Sequence, residues 1–187
     1  MPTLRQGTKL LALSALLTLG ARELSAQSQV ITLAAAAPST LTVAVQSGAV
    51  QAIAAVTDNA VNNFPAPVVI RTDWNVSPGQ TSTVDLMAYF SIPAQALVGA
   101  TTQIPSSRVL GRMTTGIPTT FTAITQNGIG VVGTSGGSLH LFSVAISGGN
   151  KNATRTDNLD LQLDLVGFPT LPAGAYTGVL NIRAVTQ

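Results

Sequence analysis

The 187-residue chain has no cysteine and a single histidine, His140. Without cysteine it has no disulfide and no thiol nucleophile, so an exported fold rests on packing alone. A zinc site needs three or four histidine, cysteine or carboxylate ligands, which argues against one here. His140 is predicted to share a strand face with Phe142, Val144 and Ile146 and to be an ordinary hydrogen-bonded strand residue. No cofactor or metal is expected.

Charge is also scarce, at 9% of residues. Three of the nine basic and one of the seven acidic residues lie within residues 1–26, which leaves six of each in the rest of the chain. Those six basic residues are scattered, whereas a phosphate-binding surface needs clustered lysine and arginine. The sequence therefore predicts no nucleic-acid partner.

Aromatic residues are few: five Phe, two Tyr and one Trp. Trp74 is predicted to be a core anchor between two sheets, because a large apolar ring is most stable when buried. Most of the other rings are needed for the core as well. Tyr89 and Tyr176 are therefore the only candidates for an exposed surface that would bind polysaccharide.

Residues 1–26 have the pattern of a cleaved secretory signal peptide. The first nine residues carry two basic side chains and no acid, residues 10–20 are apolar, and Ala26 provides a small residue before the cut. The apolar run is shorter than the roughly 20 residues of a membrane span. We expect residues 27–187 to form a single exported domain without a membrane span, in the periplasm, at the cell surface or outside the cell.

The remaining sequence predicts an all-β fold, an antiparallel β-sandwich of Ig-like or pilin-like type, with a closed barrel as the alternative. Strand-length runs recur at roughly ten-residue spacing, and no amphipathic helix is apparent. The run 68–75 places Val68, Ile70 and Trp74 on one face, and in 159–165 leucines alternate with polar residues. Further strands are predicted at 30–36, 41–46, 50–56, 84–90, 119–126, 138–147 and 176–185. A short helical turn is predicted at 94–98. The last two long runs, 159–165 and 176–185, are predicted to pair as antiparallel strands.

One motif suggests catalysis, Gly133-Thr134-Ser135-Gly136-Gly137, which fits the Gly-x-Ser-x-Gly nucleophile elbow. A nucleophilic serine needs a histidine base and an orienting carboxylate. The histidine comes last in the hydrolase order and first in the protease order, but His140 lies between Ser135 and Asp157. We therefore interpret the motif as a hairpin loop and predict that the protein is not an enzyme.

Asp157, Asp160 and Asp164 form the only acidic group. Asp160 and Asp164 share a strand face but lie about 13 Å apart at strand rise. This separation is too large to hold one calcium ion between them and exceeds the carboxyl spacing of glycosidases. We expect a solvated polar face.

The run from Leu171 to Val179 (Leu-Pro-Ala-Gly-Ala-Tyr-Thr-Gly-Val), continuing to Ala184, resembles the closing strand of secreted bacterial pilin-like β-sandwiches of the spore coat protein U and fimbrial-subunit type. The chain lacks the cysteines of the spore-coat type. Residues 68–187 are also similar to uncharacterised secreted bacterial proteins, through Ile104–Val109, Thr119–Ala123 and Arg155–Leu159.

The pilin-like resemblance implies a structural, surface or extracellular-matrix protein that polymerises by adding an extended strand to a neighbouring sheet. Residues 27–37, which are uncharged and partly alternating, are the candidate donor, or else the first strand of their own sandwich. Low charge leaves sheet edges unguarded, which favours self-association. The expected partners are further copies of the chain, other envelope or matrix proteins, or, for the alternative function of a binding module, polysaccharide.

Overall fold

The computed structural model describes residues 39–79 and 81–187, and Ser39–Gln187 form one compact unit. The predicted signal peptide and the predicted strand 30–36 lie outside the described residues. The secondary structure is almost entirely β, with two short 3₁₀ helices at Pro93–Gln95 and Ser106–Arg108. The strands are β1 Thr40–Ser47, β2 Val61–Asn63, β3 Val68–Asn75, β4 Thr83–Tyr89, β5 Leu97–Val98, β6 Gln103–Ile104, β7 Val109–Met113, β8 Thr122–Ala123, β9 Ser138–Ala145, β10 Asn152–Asp164 and β11 Asn181–Thr186.

Every strand pair among the described residues is antiparallel. One sheet has six strands in the order β1-β3-β10-β7-β8, with β2 also paired to β10. A second sheet has the order β11-β4-β9, and β5 and β6 form a small ribbon. The two larger sheets contribute to one apolar core, which is the arrangement of a β-sandwich.

The alternation in β3 decides which of its faces is buried. Val68, Ile70 and Trp74 lie in the core, whereas Arg71 is exposed on the other face, as the sequence predicted. The Trp74 indole N–H donates to the carbonyl oxygen of Asn150 at 2.9 Å, so the polar atom of this buried ring is satisfied. Trp74 is therefore the predicted core anchor.

β10 is the central strand of the six-stranded sheet. Its leucines at 159, 161 and 163 are buried as the alternating pattern predicted, and Leu165 follows them into the core. The strand is longer than predicted, because it begins at Asn152 and runs beside the whole of β3. Its later half pairs with β2 on the same side and with β7 on the other.

The predicted pairing of the last two long runs is wrong. β10 belongs to the six-stranded sheet, whereas β11 pairs with β4 in the three-stranded sheet. The connection through Gly167 to Gly174 crosses from one sheet to the other, and both strands then place apolar side chains on the shared core. β11 is also shorter than the predicted run 176–185.

Four local predictions differ from the structure. Residues 50–56 form no strand, in keeping with Val50 being 91% exposed, and β2 occupies a place predicted to be a loop. The predicted strand 119–126 is reduced to β8. The predicted turn near 94–98 is the 3₁₀ helix Pro93–Gln95. Within the described ranges, no helix has the length and apolar character needed to cross a bilayer.

Candidate functional site

The lateral sides of the sandwich differ in how they are closed. At one side lie β1 and β11, the first and last described strands, which come close to each other across the sandwich. Among the described residues, β1 pairs only with β3, and β11 pairs only with β4. Each strand therefore has a free edge of backbone N–H and C=O groups that can accept another strand.

The side chains that point inward from these two strands are incompletely covered. They pack against the core but stay half-buried, and Val45 at the end of the row is 39% exposed. We call this surface the open side: the free edges of β1 and β11, the inward side chains Leu41, Val43 and Val45 of β1 and Ile182 and Ala184 of β11, and Leu180 directly before β11.

The open side lacks the charges that normally protect a sheet edge from association. β1 contains no charged residue, and β11 contains only Arg183, which is exposed. Natural edge strands are commonly guarded by lysine, by proline or by inward-pointing charge. The side chains of β1 therefore offer no electrostatic resistance to strand addition.

The opposite side, formed by residues 114–126 against β9, is tied together by backbone hydrogen bonds. The Ile117 N–H donates to the Leu141 carbonyl at 2.9 Å, and Gln126 and Ser138 exchange two bonds of 2.7 and 3.0 Å. Ile124 and Leu141, which lie in the same two segments, are both fully buried in the core. We call this surface the closed side.

The serine motif lacks the strand–turn–helix setting of a nucleophile elbow. Ser135 lies in the loop before β9, and its hydroxyl donates to the Asn127 side-chain oxygen at 2.8 Å. Gly133 and Gly136 take positive φ angles, and the Ser138 hydroxyl holds the loop by bonding both the N–H and the carbonyl of Thr134. The motif is a structured loop that leads into a strand, whereas an elbow leads into a helix.

The predicted face of His140 is wrong. A β-bulge in β9 pairs Met87 with His140 and Leu86 with Phe142, so the extra residue turns His140 away from Phe142. His140 lies instead on the outer face of the three-stranded sheet. Its Nε2 is 3.9 Å from Asp85 Oδ1, beyond hydrogen-bond distance, and Nε2 is buried with no hydrogen-bond partner in the described structure.

The aspartates at 157, 160 and 164 do not converge. Asp160 accepts from Arg112 at 2.6 Å, and Asp164 accepts from the backbone N–H of Val166 at 2.9 Å, both on the partly solvated face. Asp157 departs from the prediction, because it is 1% exposed and points into the sandwich. In the part of the chain that the structure describes, no three histidine, cysteine or acidic side chains are placed to hold a metal ion.

Asp157 is the buried member of a partly exposed polar cluster at the closed side. Arg155 Nε donates to it at 2.6 Å, and the Thr115 hydroxyl donates at 2.5 Å. The Arg155 guanidinium also donates to the Thr115 carbonyl and lies 4.7 Å from the centre of the Phe142 ring. The cluster joins the segment after β7 to β10, and these bonds explain why the carboxylate of Asp157 is tolerated in the interior.

Asp73 lies on the outer face of the six-stranded sheet. The hydrogen bonds from Arg71 lower the pKa of Asp73 below its ordinary value, and the bond from the Thr154 hydroxyl acts in the same direction. The Arg71 and Asp73 side chains are 46% and 35% exposed, so this pair is a surface feature.

The two tyrosines are only half-exposed. The Tyr176 ring lies so close to Gly99 that a Cβ at that position would approach the ring within 2.5 Å, and its hydroxyl donates to the Pro172 carbonyl at 2.9 Å. Tyr176 therefore holds the turn before β11. Tyr89 lies on the outer face of β4, opposite Asn181.

The described residues thus define an antiparallel all-β protein with one closed and one open lateral side. Comparison with protein-family models, with curated proteins and with solved structures found no match to this chain. The pilin-like resemblance of residues 171–184 accordingly stays a prediction.

Sequence reasoning missed the open side itself. Its signal was the complete absence of charge from Gln27 to Thr57, but the pattern alone did not show that β1 would be an edge strand.

Proposed function

We propose that the chain is an exported, non-enzymatic structural protein of the cell surface or extracellular matrix, of pilin-like type, that assembles with itself by β-strand donation. In this proposal residues 27–37 of one copy add to the open side of another. The observation that carries it is the pair of free, almost uncharged edges on β1 and β11 with half-buried apolar side chains between them.

Strand addition suits this surface for two physical reasons. A donated backbone would satisfy the free N–H and C=O groups of an edge strand, and alternate side chains would cover the inward apolar row. Covering the exposed part of Val45 and its half-buried neighbours gains about 25 cal/mol for each Å² of apolar surface removed from water. Both gains are larger at the open side than at the closed side, where those groups are already paired and buried.

The test compares single charges placed on either face of β1 in the chain from residue 27 onward. Val43→Asp puts a carboxylate on the inward row, whereas Ala44→Asp puts one on the outer face, opposite Arg71. We expect light scattering and negative-stain microscopy to show assemblies for the parent chain and for Ala44→Asp, and their loss for Val43→Asp.

A matched pair examines the donor. Leu33→Asp changes the apolar set of residues 27–37, and Thr32→Asp changes the adjacent residue of the opposite parity. Loss of assembly in Leu33→Asp alone agrees with donation. A parent chain that stays monomeric at every concentration sinks the proposal.

A polysaccharide-binding module is the second candidate, since Tyr89 presents a half-exposed ring on the outer face of β4. Retention of the monomer on an insoluble polysaccharide, abolished by Tyr89→Ala and kept by Tyr176→Ala, would favour it. Tyr176 serves as the comparison because its ring and hydroxyl are already engaged with Gly99 and Pro172.

A further inference from the structure

We propose that Asn127 is a self-modifying site, at which the side-chain amide reacts with the backbone nitrogen of Gly128 and is converted to aspartate or isoaspartate. The inference does not depend on the proposed function. The dipeptide Asn-Gly occurs once in the sequence, at residues 127–128, in the loop between β8 and β9. Because glycine has no side chain beside the attacking nitrogen, the approach of that nitrogen to the amide is unhindered.

The reaction needs water as its only co-reactant. The Gly128 nitrogen forms a bond to Cγ of Asn127 and loses its proton, while the bond from Cγ to the amide nitrogen breaks and ammonia leaves with the electron pair. The product is a cyclic imide, which water then opens at either carbonyl. One opening gives aspartate, and the other gives isoaspartate, in which the main chain runs through the former side chain. The first step is intramolecular, so proximity favours it.

The structure places three features at this site that fit the chemistry. Asn127 is exposed, and the Gly128 N–H donates to no acceptor among the described residues, so no hydrogen bond withholds the attacking nitrogen. The Ser135 hydroxyl donates to Asn127 Oδ1 at 2.8 Å. Negative charge develops on this oxygen during attack at Cγ, and a hydrogen-bond donor placed there stabilises the transition state. The serine of the Gly-x-Ser-x-Gly motif thus acts as a donor to the reacting amide.

Residues 127–136, which we call the cover loop, lie on the outer face of the three-stranded sheet. Met87 of β4 is fully buried and Val132 of the loop is 4% exposed, yet neither belongs to the core between the sheets. A Cβ on Gly133 would lie 3.2 Å from the Met87 Cε atom, so the loop backbone packs directly on this side chain. The cover loop therefore helps to shield Met87 from water.

Isoaspartate at position 127 would disturb this packing, because it adds a methylene group to the main chain. The two arms of the cover loop are in backbone contact. A Cβ on Gly128 would come within 2.3 Å of the Val132 carbonyl oxygen, and one on Gly133 within 2.8 Å of the Gly128 Cα atom. Close-packed groups have no room for an added methylene without a shift of the backbone. We therefore expect conversion to isoaspartate to loosen the cover loop and expose Met87.

The first experiment follows the masses of the peptides that contain residues 127 and 59 while the full chain is incubated in mildly alkaline buffer. Asn59 is the internal control, because it is exposed and its Oδ1 accepts from the Gly167 N–H at 2.8 Å, but it precedes Ala60. We expect conversion and ammonia release at residue 127, with Asn59 unchanged and with Asn127→Gln inert. No conversion at residue 127, or equal conversion at both positions, overturns the proposal.

Ser135→Ala tests the hydroxyl. We expect conversion of Asn127 to be about five-fold slower in the folded variant, the factor that one net hydrogen bond supplies, and unchanged when both chains are unfolded in urea. Ser135→Thr keeps a hydroxyl and should keep the parent rate. If the bond only restrains the amide, Ser135→Ala reacts faster when folded. An equal or faster rate overturns the assignment of the hydroxyl as a donor to the transition state.

Oxidation by hydrogen peroxide measures the exposure of Met87. Met113 is the matched control, since it is 1% exposed but lies in the core between the sheets. A thioether is oxidised readily only where the reagent reaches it. After incubation we expect faster oxidation of Met87 and unchanged Met113 in the parent chain, and no change at either in Asn127→Gln. Asn127→Asp, which adds charge without the methylene, should keep Met87 protected. A Met87 that stays protected in the isoaspartate form overturns the loosening of the cover loop.

Discussion

The two lateral sides of this sandwich are built from the same kind of strand and differ in how the chain continues after it. At the closed side the chain runs on from β7 through residues 114–126 and bonds to β9, so the gap between the sheets is sealed by local sequence. At the open side β1 and β11 are the first and last described strands, and no described strand pairs with their outer edges. A bare, apolar sheet edge of this kind presents unpaired backbone N–H and C=O groups to which another strand can add.

The largest expected effect on the free energy of unfolding is that of Trp74→Ala. Leu41 of β1, which pairs in register with Trp74 of β3, provides the comparison. Trp74 is 5% exposed, so Trp74→Ala should lower the free energy of unfolding by about 3–5 kcal/mol. Leu41 is half-buried at the open side, so Leu41→Ala should cost about 1–2 kcal/mol, below the range for a fully buried leucine. Urea unfolding of both variants checks this, and equal losses would mean that the open side is covered in solution.

A middle-sized effect concerns the polar cluster of the closed side. Asp157→Ala leaves the Arg155 guanidinium without its carboxylate, and we expect about 2–4 kcal/mol of destabilisation, reduced from the fully buried case because Arg155 is 27% exposed. The control is Asp160→Ala, which breaks a more exposed pair with Arg112 and should cost about 1 kcal/mol or less. A loss no larger than that of the control would show that the cluster does not stabilise the closed side.

The smallest effect is pH-dependent. The pKa of Asp73 is lowered in the folded chain by Arg71, so its contribution to stability is present above the unfolded-chain pKa of about 3.9 and is lost as the pH falls through the lower folded value. Asp73→Asn should therefore slightly reduce the fall of the urea midpoint as the solution becomes acidic, and should leave the urea midpoint near pH 7 almost unchanged. Urea midpoints between pH 2 and pH 7 test this, and an unchanged acid slope would contradict it.

Period-two alternation predicted the long strands β3, β4, β9 and β10, whereas the weaker patterns at 50–56 and 119–126 were misread. The buried faces of β3 and β10 follow directly from their own residues, because a strand with one wet face must alternate. The choice of partners was not predictable in the same way. β10 and β11 both carry apolar inner faces, and nothing in either sequence decides whether they pair or face each other across a core.

The candidate site was less predictable than the strands. The face of His140 depends on a bulge, which inserts one residue and reverses the alternation beyond it. The burial of Asp157 depends on Arg155 and Thr115, two partners that only the fold brings together. The open side is a property of strand order, so the uncharged sequence of β1 did not by itself show that β1 is an edge strand.

The central position of β10 has a consequence for the order in which the molecule can be made. β1 and β3 form a hairpin-like pair early in the sequence, but their sheet gains its middle strand only when residues 152–164 are available. A sheet with such distant pairings closes slowly, because the chain entropy of a long loop must be lost before the contacts form. While the chain emerges from its N-terminus, the pair of β1 and β3 has two free edges instead of one. The absence of charge on β1 then becomes a hazard during synthesis as well as a feature of the finished surface.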